Sequence, residues 1–328
     1  MFFLITIVDM ESIIATVVAN SVWLWVGFNV FVLCMLALDL GVFHKKSHIV
    51  SFKESITWTV VWVTLAMIFN LGIAHYMGKD KALEFFTGYV IEKSLSVDNI
   101  FVFALLFTAF AVPPLYQHKI LFWGIIGALM MRAGMIALGA ALISNFTWII
   151  YVFGIFLILT GIKMLIKSDE TYDPKKSIVF KLFRKVMPVT DTYHDDKFLV
   201  RQNGILTATP MLMVLVLVEF TDVIFAVDSI PAIFAVTKDP FIVYTSNVFA
   251  ILGLRSLYFA LAGVMDKFHY LKTGLALVLG FVGTKMLLSH SDWKIDSNHS
   301  LIVILAILAT SVIGSLVIPK KAEEKKDD

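Results

Sequence analysis

The sequence predicts an all-α, polytopic membrane protein with about nine transmembrane helices and two inverted three-helix repeats. Hydrophobic residues make up 59% of the 328 residues and charged residues only 16%. The mean hydropathy is +0.86, and apolar stretches long enough to span a bilayer recur along the chain. Soluble domains are about 45–50% apolar and about 25% charged. A soluble domain, an extracellular disulfide scaffold and a disordered protein are therefore excluded.

Nine segments reach the length of about 20 mostly apolar residues that a membrane-spanning helix needs. Pro113-Pro114, Asp239-Pro240 and the polar stretch 289–300 separate some of them, as helix-stopping sequences do. The predicted spans are Val22 to Phe43, Ser55 to Tyr76, Phe85 to Val112, Ile120 to Ile143, Phe146 to Ile166, Ala208 to Val236, Phe241 to Val264, Leu271 to Leu288 and Leu301 to Ile318.

These spans form one transmembrane domain over residues 22–318. Residues 1–21 are an outer lead-in, because their apolar start lacks the basic region of a signal peptide and is interrupted by Asp9 and Glu11. Repeat one covers residues 85–166, and repeat two covers residues 208–288. A long loop at 167–207 lies between them, and a charged tail at 319–328 follows.

Positive charges predict the orientation, because loops rich in Lys and Arg stay on the cytoplasmic side. With the N-terminus outside, the cytoplasmic segments carry eighteen Lys and Arg residues, counting Lys272 at the start of the eighth span, and the outer loops carry four. The remaining five lie inside the spans. We therefore predict a multi-pass protein with its N-terminus outside and its C-terminus in the cytoplasm.

The loop at 167–207 carries eight of these positive charges. Apolar residues recur there at helical spacing beside Lys181, Arg184 and Lys185, which is typical of a basic amphipathic helix at the inner membrane surface. A docking site for a protein partner and a solvated linker are the other interpretations, and the sequence favours the linker. It identifies no protein partner, and a net charge of +2 gives no reason to expect nucleic acid.

The loop separates two copies of one pattern. Glu92 precedes Asp98 by six residues in the third span, and Asp222 precedes Asp228 by six in the sixth. The fifth and eighth spans end alike, in GIKML at 161–165 and GTKML at 283–287. Because each copy has three helices, an odd number, the second enters the membrane from the opposite side. Such inverted repeats are typical of secondary transporters with a midplane substrate site.

Six carboxylates fall inside the predicted spans, where an acidic residue at a helix centre costs about 2.5–3.5 kcal/mol on insertion scales. Six of them facing lipid would cost about 15–20 kcal/mol, more than the total stability of most proteins. They therefore point into the bundle, where we expect a cation pathway. The alternative is a structural ion-pair network with Lys93, Arg132 and Arg255, of which the arginines are central in the fourth and seventh spans. The six are Asp39, Glu92, Asp98, Glu219, Asp222 and Asp228.

Helix geometry limits how these carboxylates share a site. Residues six apart on a regular helix point about 120° apart and lie about 9 Å apart along its axis. Asp222 and Asp228 therefore share a site only if the helix unwinds between them, and Pro231 favours such a break because it removes a backbone donor. In the alternative arrangement, the second acid of each pair binds the ion and the first holds Arg132 or Arg255.

The donor chemistry favours a hard divalent cation. Carboxylates, with Asn99, Ser229 and Asn247 as neutral oxygen donors, suit Mg²⁺, Ca²⁺ and Mn²⁺. Zinc and copper sites favour His or Cys, and Cys34 is the single cysteine. The sequence holds no phosphate-binding loop, dinucleotide fingerprint or nucleophile elbow. We therefore expect no catalytic residue and no bound cofactor, with the metal ion as substrate and the lipid bilayer as surroundings.

At these positions the sequence resembles the TerC family. The resemblance rests on EKSLSVDNIFVF at 92–103, EFTDVIFAVDSIPA at 219–232 and TSNVFAILGLR at 245–255, and it extends from about Trp23 to Ile318. Within the family it is closest to alkali-inducible manganese exporters. It implies a bacterial inner-membrane protein of the LysE-like superfamily that exports Mn²⁺. The acidic motif positions carried over are Glu92, Asp98, Glu219, Asp222 and Asp228, with Asp39 as a weaker candidate.

Two functional hypotheses follow. The first is a secondary transporter that exports divalent metal through an acidic midplane site by proton antiport. The second is a membrane scaffold or assembly factor, a role suggested for some TerC relatives, which would act through the basic loop and need no ion pathway. The supporting polar and ion-pair residues of the first are Asn99, Ser229, Asn247, Arg132, Arg255 and Lys93.

Overall fold

The computed structural model describes residues 22–38, 50–146, 148–166, 177–202, 204–261, 270–289, 291, 293 and 295–317. The predicted lead-in and tail lie outside these ranges. The described elements are α1 (Val22–Leu38), α2 (Phe52–Tyr76), α3 (Lys79–Ala109), α4 (Pro114–Asn145), α5 (Ile149–Ile166), α6 (Ile178–Val186), β1 (Leu199–Gln202), β2 (Ile205–Ala208), α7 (Pro210–Phe234), α8 (Pro240–Leu252), α9 (Leu254–Leu261), α10 (Leu271–Leu287) and α11 (Ser297–Val317).

Five of the described helices are long and apolar enough to cross a membrane, namely α2, α4, α5, α7 and α11. Helices α8 and α9 form a sixth candidate span that is bent by 41°. Helices α1 and α10 are apolar but have only 17 residues each, and the apolar sequence of α3 is interrupted by Glu92, Lys93 and Asp98. The structure agrees with an all-α, multi-pass membrane protein, and the number of nine spans stays a prediction.

Prolines begin three of the core helices. Pro114, Pro210 and Pro240 occupy the first turns of α4, α7 and α8, where a missing backbone N–H breaks no helix hydrogen bond. Asp239 caps α8, because its carboxylate accepts a hydrogen bond of 3.0 Å from the backbone N–H of Phe241. The separation of two helices predicted at Asp239-Pro240 is therefore present.

The core is built by helices from both halves of the chain. Helix α3 packs along α8, and α4 packs along α7, while α3 also contacts α7 and α4 also contacts α8. Helix α5 packs along α10, α2 covers α3 and α9, and α11 covers α10. Helix α1 contributes Phe28, whose ring lies 5.8 Å from Tyr244 and 5.7 Å from Phe249 of α8.

The pair α5 and α10 is held at unusually close range by glycines. A Cβ added to Gly154 would lie 2.9 Å from the carbonyl oxygen of Gly283, and one added to Gly283 would lie 2.6 Å from the carbonyl oxygen of Gly154. A Cβ on Gly161 would lie 2.7 Å from the carbonyl oxygen of Ala276. Small residues at such crossings let helix backbones touch, which is a main source of helix packing in membranes.

The helix break lies at a different place from the one the sequence favours. Helix α7 continues from Pro210 to Phe234 with Pro231 inside it. Pro231 lies near the end of the helix, so the loss of its N–H removes one of the last hydrogen bonds without ending the helix. The break occurs instead at Gly253, which separates α8 from α9.

The connections collect at two ends of the bundle. One cavity is lined by Lys81 at the start of α3, Ile150 at the start of α5, and residues that follow α7 and α10. Another is lined by Phe110 after α3, Phe180 of α6 and Pro210 at the start of α7. This division matches the one expected if successive spans cross the membrane in alternating directions.

The described part of the long loop, residues 177–202 and 204–207, is folded against the second end of the bundle. The backbone N–H of Thr190 donates to the carbonyl of Ala208 at 2.9 Å, and the Lys119 ammonium lies 2.7 Å from the Asp196 carboxylate. The hydrogen bond from Lys119 lowers the pKa of Asp196. A solvated linker does not describe these residues, because they make specific contacts with α4 and β2. Residues 167–176 lie outside the described ranges.

Candidate functional site

The site is centred on Arg132, in the middle of α4. Its side chain is 1% exposed and is the largest of the fully buried side chains among the described residues. A guanidinium keeps its charge in proteins, and burying an unpaired charge is very costly. Anionic partners must therefore lie on the neighbouring helices.

Asp222 of α7 is one of these partners. Arg132 Nε donates to Asp222 Oδ2 at 3.0 Å, and Arg132 Nη2 donates to Asp222 Oδ1 at 2.8 Å. Glu92 of α3 is the other, because its Oε1 accepts a hydrogen bond from Arg132 Nη1. Both carboxylates are buried. Glu92 and Asp222 are the first acids of the two predicted pairs. The structure brings these two positions together on one arginine.

Two neutral side chains complete the shell around the guanidinium. Arg132 Nη1 also donates to Asn247 Oδ1 of α8 at 3.2 Å and to Ser229 Oγ of α7 at 3.4 Å. Four oxygen-bearing side chains from α3, α7 and α8 thus converge on a cation carried by α4. Two carboxylates face one guanidinium, so the cluster as a whole carries a net negative charge when both are ionised.

Some oxygen atoms of this region have no hydrogen-bond partner within the described residues. They are Glu92 Oε2 and Asn99 Oδ1, both buried in α3. Seven residues are close to two helical turns, so these two side chains lie on one face of α3. A buried polar atom without a partner costs free energy, so both are candidate contacts for a cation.

Asp228 lies apart from this cluster. Its Oδ1 accepts a hydrogen bond of 3.2 Å from Thr160 Oγ1 of α5, and Lys163 of the same helix attracts it electrostatically. Because α7 is unbroken, Asp222 and Asp228 point to different neighbours, as their six-residue spacing requires. The sequence did not single out Thr160.

Glu219, one turn before Asp222, lies against α4. A Cβ added to Gly127 would overlap its carboxylate, and Glu219 Oε2 accepts no hydrogen bond from the described residues. The absence of a side chain at Gly127 therefore creates the space that Glu219 fills. A glycine inside an apolar span was the available signal, but its partner is on a helix distant in sequence.

The side chains of two predicted acids lie outside the described part of the structure. Asp98 lies in α3, but its side chain is not among those described, and Asp39 lies outside the described ranges. Among the side chains that the structure describes, no three of the types His, Cys, Asp and Glu converge in a way that could hold a metal ion. The predicted metal ligands therefore stay predictions.

The remaining predicted cations have different surroundings. Lys93 Nζ donates to the carbonyl oxygen of Ala250 at 3.2 Å, at the end of α8. A Cβ added to Gly253 would lie 2.6 Å from that ammonium. Lys93 therefore contacts the break between α8 and α9, and it does not pair with the acids around Arg132. Arg255 of α9 is buried and lines a small cavity together with Asp222.

Comparison with known proteins identifies the family. Residues 77–323 match the family described as "Integral membrane protein TerC family". A relative from Myxococcus xanthus, named as the uncharacterized membrane protein STKORF319, is 52% identical over 309 residues, which cover 94% of this chain and 97% of the relative.

Two enterobacterial relatives carry the provisional name membrane-bound redox modulator Alx. The one from Salmonella typhi is 47% identical over 312 residues, covering 92% of this chain and 96% of the relative. The one from Escherichia coli K12 is 49% identical over 300 residues, covering 88% of this chain and 93% of the relative. No solved structure matches the chain. The family resemblance expected from the motifs is confirmed, and the chain belongs to the TerC family of integral membrane proteins.

Proposed function

We propose that this protein is a secondary transporter that exports divalent metal cations, with Mn²⁺ as the main substrate, from the cytoplasm of a bacterial cell. The observation that carries the proposal is the convergence of Glu92, Asp222, Asn247 and Ser229 on the Arg132 guanidinium. Two carboxylates, an amide oxygen and a hydroxyl are the donor types that hard divalent ions take in proteins.

In this proposal Arg132 is the resident counter-cation of an acidic site. When the guanidinium moves away from Glu92 and Asp222, it leaves two negative charges, which a divalent ion balances. Leaving them unbalanced in the bundle is costly, since breaking a buried ion pair costs about 3–5 kcal/mol. Departure of the arginine is therefore coupled to the arrival of a metal ion or of protons, and this coupling is the basis of antiport.

The packing of the two halves supports an inverted repeat. Exchanging α3 with α7 and α4 with α8 converts the α3–α8 contact into the α7–α4 contact, and both are extensive. The glycine contacts behave in the same way, because Gly154 with Gly283 and Ala276 with Gly161 become one another under the exchange of α5 with α10. A pseudo-two-fold of this kind would allow alternating access by rocking of one repeat against the other.

The name redox modulator belongs to the relatives. Within this sequence Cys34 is the single cysteine, which gives no pair of thiols for exchange with a disulfide. The buried acidic cluster, and not a thiol pair, is the chemistry that this chain offers.

Metal flux in proteoliposomes tests the proposal. Purified protein is reconstituted around a Mn²⁺-sensitive dye, and the rate of dye response to added Mn²⁺ is compared with that of protein-free vesicles. We expect flux from the unaltered chain and loss of it in Glu92→Gln and Asp222→Asn. Asp296→Asn is the matched control, since the Asp296 side chain is 73% exposed. No flux from well-folded, unaltered protein would favour the scaffold function instead.

A further inference from the structure

Helix α6 lies at the end of the bundle where α3 ends and α7 begins. Its residues Val179, Phe180 and Phe183 pack against a hydrophobic cluster of the bundle. The Phe180 ring centre lies 5.7 Å from that of Phe110, which follows α3. We call these three residues the inner face of α6, because they lie against the protein.

A second face of α6 is apolar and exposed. Ile178, Leu182 and Val186 are 81%, 58% and 79% exposed. Residues four apart lie on the same side of a helix, so these three form one stripe along the whole length of α6. We call them the outer stripe.

The third face is basic. Lys181, Arg184 and Lys185 are all exposed. At about 100° per residue, they occupy the sector between the inner face and the outer stripe, and Lys185 lies beside Ile178. The helix therefore presents protein contacts, an apolar stripe and positive charge on three successive sides.

The outer stripe is fixed in its direction. Ser177 caps α6 by accepting a hydrogen bond of 3.1 Å from the backbone N–H of Phe180. The segment after α6 is bonded to β2 through Ala208, which donates to the Pro188 carbonyl at 2.9 Å. The Tyr193 hydroxyl donates to the Phe110 carbonyl at 2.8 Å. These contacts hold the segment that follows α6, and the packing of Val179, Phe180 and Phe183 holds α6 itself. The outer stripe therefore points away from the bundle.

We infer that α6 is an interfacial anchor. Its outer stripe inserts into the lipid leaflet at this end of the bundle, and its basic face binds anionic phospholipid headgroups. An exposed apolar stripe beside Lys and Arg is the composition of helices that lie in the membrane interface, and basic residues there are attracted to anionic lipid. The position supports lipid as the occupant, since α6 packs beside the ends of helices α3 and α7, the second of which is a candidate span. This inference does not depend on which ion the protein transports.

Depth measurements on the full chain test the anchor. On a Cys34→Ala background, a spin label is attached to Ile178→Cys, Lys181→Cys, Leu182→Cys, Lys185→Cys or Val186→Cys, and the protein is placed in nanodiscs of phosphatidylethanolamine and phosphatidylglycerol. We expect labels at 178, 182 and 186 to collide with oxygen and to be shielded from a water-soluble nickel chelate. Labels at 181 and 185 should show the reverse. Equal exposure of positions 181 and 182 to the chelate would overturn the inference.

The lipid specificity is tested separately. Replacing phosphatidylglycerol with phosphatidylcholine should increase collisions of the chelate with the label at 182, and Lys181→Gln with Lys185→Gln should do the same in anionic discs. Unchanged shielding in both cases would overturn the role of anionic headgroups. Shielding in native membranes that is lost in lipid-only nanodiscs would assign the outer stripe to a protein partner, which also contradicts the inference.

Discussion

Arg132 of α4 and Asp222 of α7 form a two-point ion pair in which Nε lies 3.0 Å from Oδ2 and Nη2 lies 2.8 Å from Oδ1. Bidentate pairs of this kind fix the relative orientation of their two groups as well as adding energy. The pair therefore sets the register of α4 against α7. Any sliding of α4 past α7 must therefore separate this pair.

The first prediction concerns the stability of this pair. Asp222→Asn removes one charge and one acceptor while Arg132 stays buried, so the free energy of unfolding should fall by about 3–5 kcal/mol. Denaturant unfolding in detergent micelles measures the change. Asp296→Asn, at a 73% exposed side chain, should change it by about 0.5 kcal/mol or less. Equal stability of the two variants would show that the pair is not structural.

The sequence predicts that charges in the spans need partners, but not which partners they have. The sequence places Arg132 and Arg255 at corresponding positions of the two predicted repeats, and it leaves both as alternative partners of Glu92 and Asp222. In the structure both acids form ion pairs with Arg132. Helical spacing defines directions on one helix, whereas pairing depends on how each helix is rotated against its neighbours. That rotation is set by long-range packing, such as the contact of Glu219 with Gly127.

The helix break shows the same limit. Pro231 is the strongest local signal for a break in α7, yet the helix continues past it. Gly253 carries a weaker local signal, but the Lys93 ammonium beside it donates to the Ala250 carbonyl. A helix end buried in the bundle needs such a partner for its carbonyls. The donor comes from α3, far away in the sequence, so spacing alone could not indicate it.

The second prediction tests the contact of α5 with α10. Gly283→Ala places a Cβ 2.6 Å from the Gly154 carbonyl oxygen, so the helices must separate and the free energy of unfolding should fall by about 1–3 kcal/mol. Gly280→Ala is the control on the same helix, because nothing lies within 4 Å of its added Cβ. That change should be neutral or stabilise by about 0.5–1 kcal/mol, since glycine is unfavourable inside a helix. The same sign for both variants would contradict close packing at Gly283.

The third prediction addresses the second acid of each pair. Asp98→Asn and Asp228→Asn should each abolish manganese tolerance in cells while membrane abundance stays unchanged. Each change removes a charge and keeps the size of the side chain, and neutral amides bind hard cations less strongly than carboxylates do. Thr160→Val, which removes the hydrogen bond to Asp228, should weaken tolerance less. Normal tolerance in either aspartate variant, at matched abundance, rules that residue out of an essential metal site.

The fourth prediction concerns orientation. On a Cys34→Ala background, cysteines at Ser47 and Ser177 should be shielded from an impermeant thiol reagent added to intact cells, because both positions lie in loops rich in positive charge. A cysteine at Ser291, at the opposite end of the bundle, should be labelled. Permeabilised cells provide the control, since Ser177→Cys should then react. Labelling of that position in intact cells would reverse the proposed topology.

The last prediction is that metal export is driven by protons. Glu219 and Asp222 lie three residues apart on one face of α7, and the Asp222 carboxylate repels that of Glu219. Two such groups share either protons or one divalent ion, because binding of the metal requires the protons to leave. Protons that enter from outside should therefore displace Mn²⁺ and drive it outward through the same site.

Vesicles loaded with Mn²⁺ and given an inward proton gradient, with the membrane potential clamped, should lose their metal faster than vesicles without the gradient. Asp222→Asn should abolish this acceleration, because it removes a protonatable group and also the two-point partner of Arg132. Glu219→Gln should only reduce it, since Asp222 remains to bind protons and to hold Arg132. Because Asp222 also holds Arg132, the Asp222 variant is compared at a temperature where its fold is retained. Efflux that proceeds at the same rate with and without the gradient would show a uniporter, in which the movement of Arg132 is balanced by the metal ion alone.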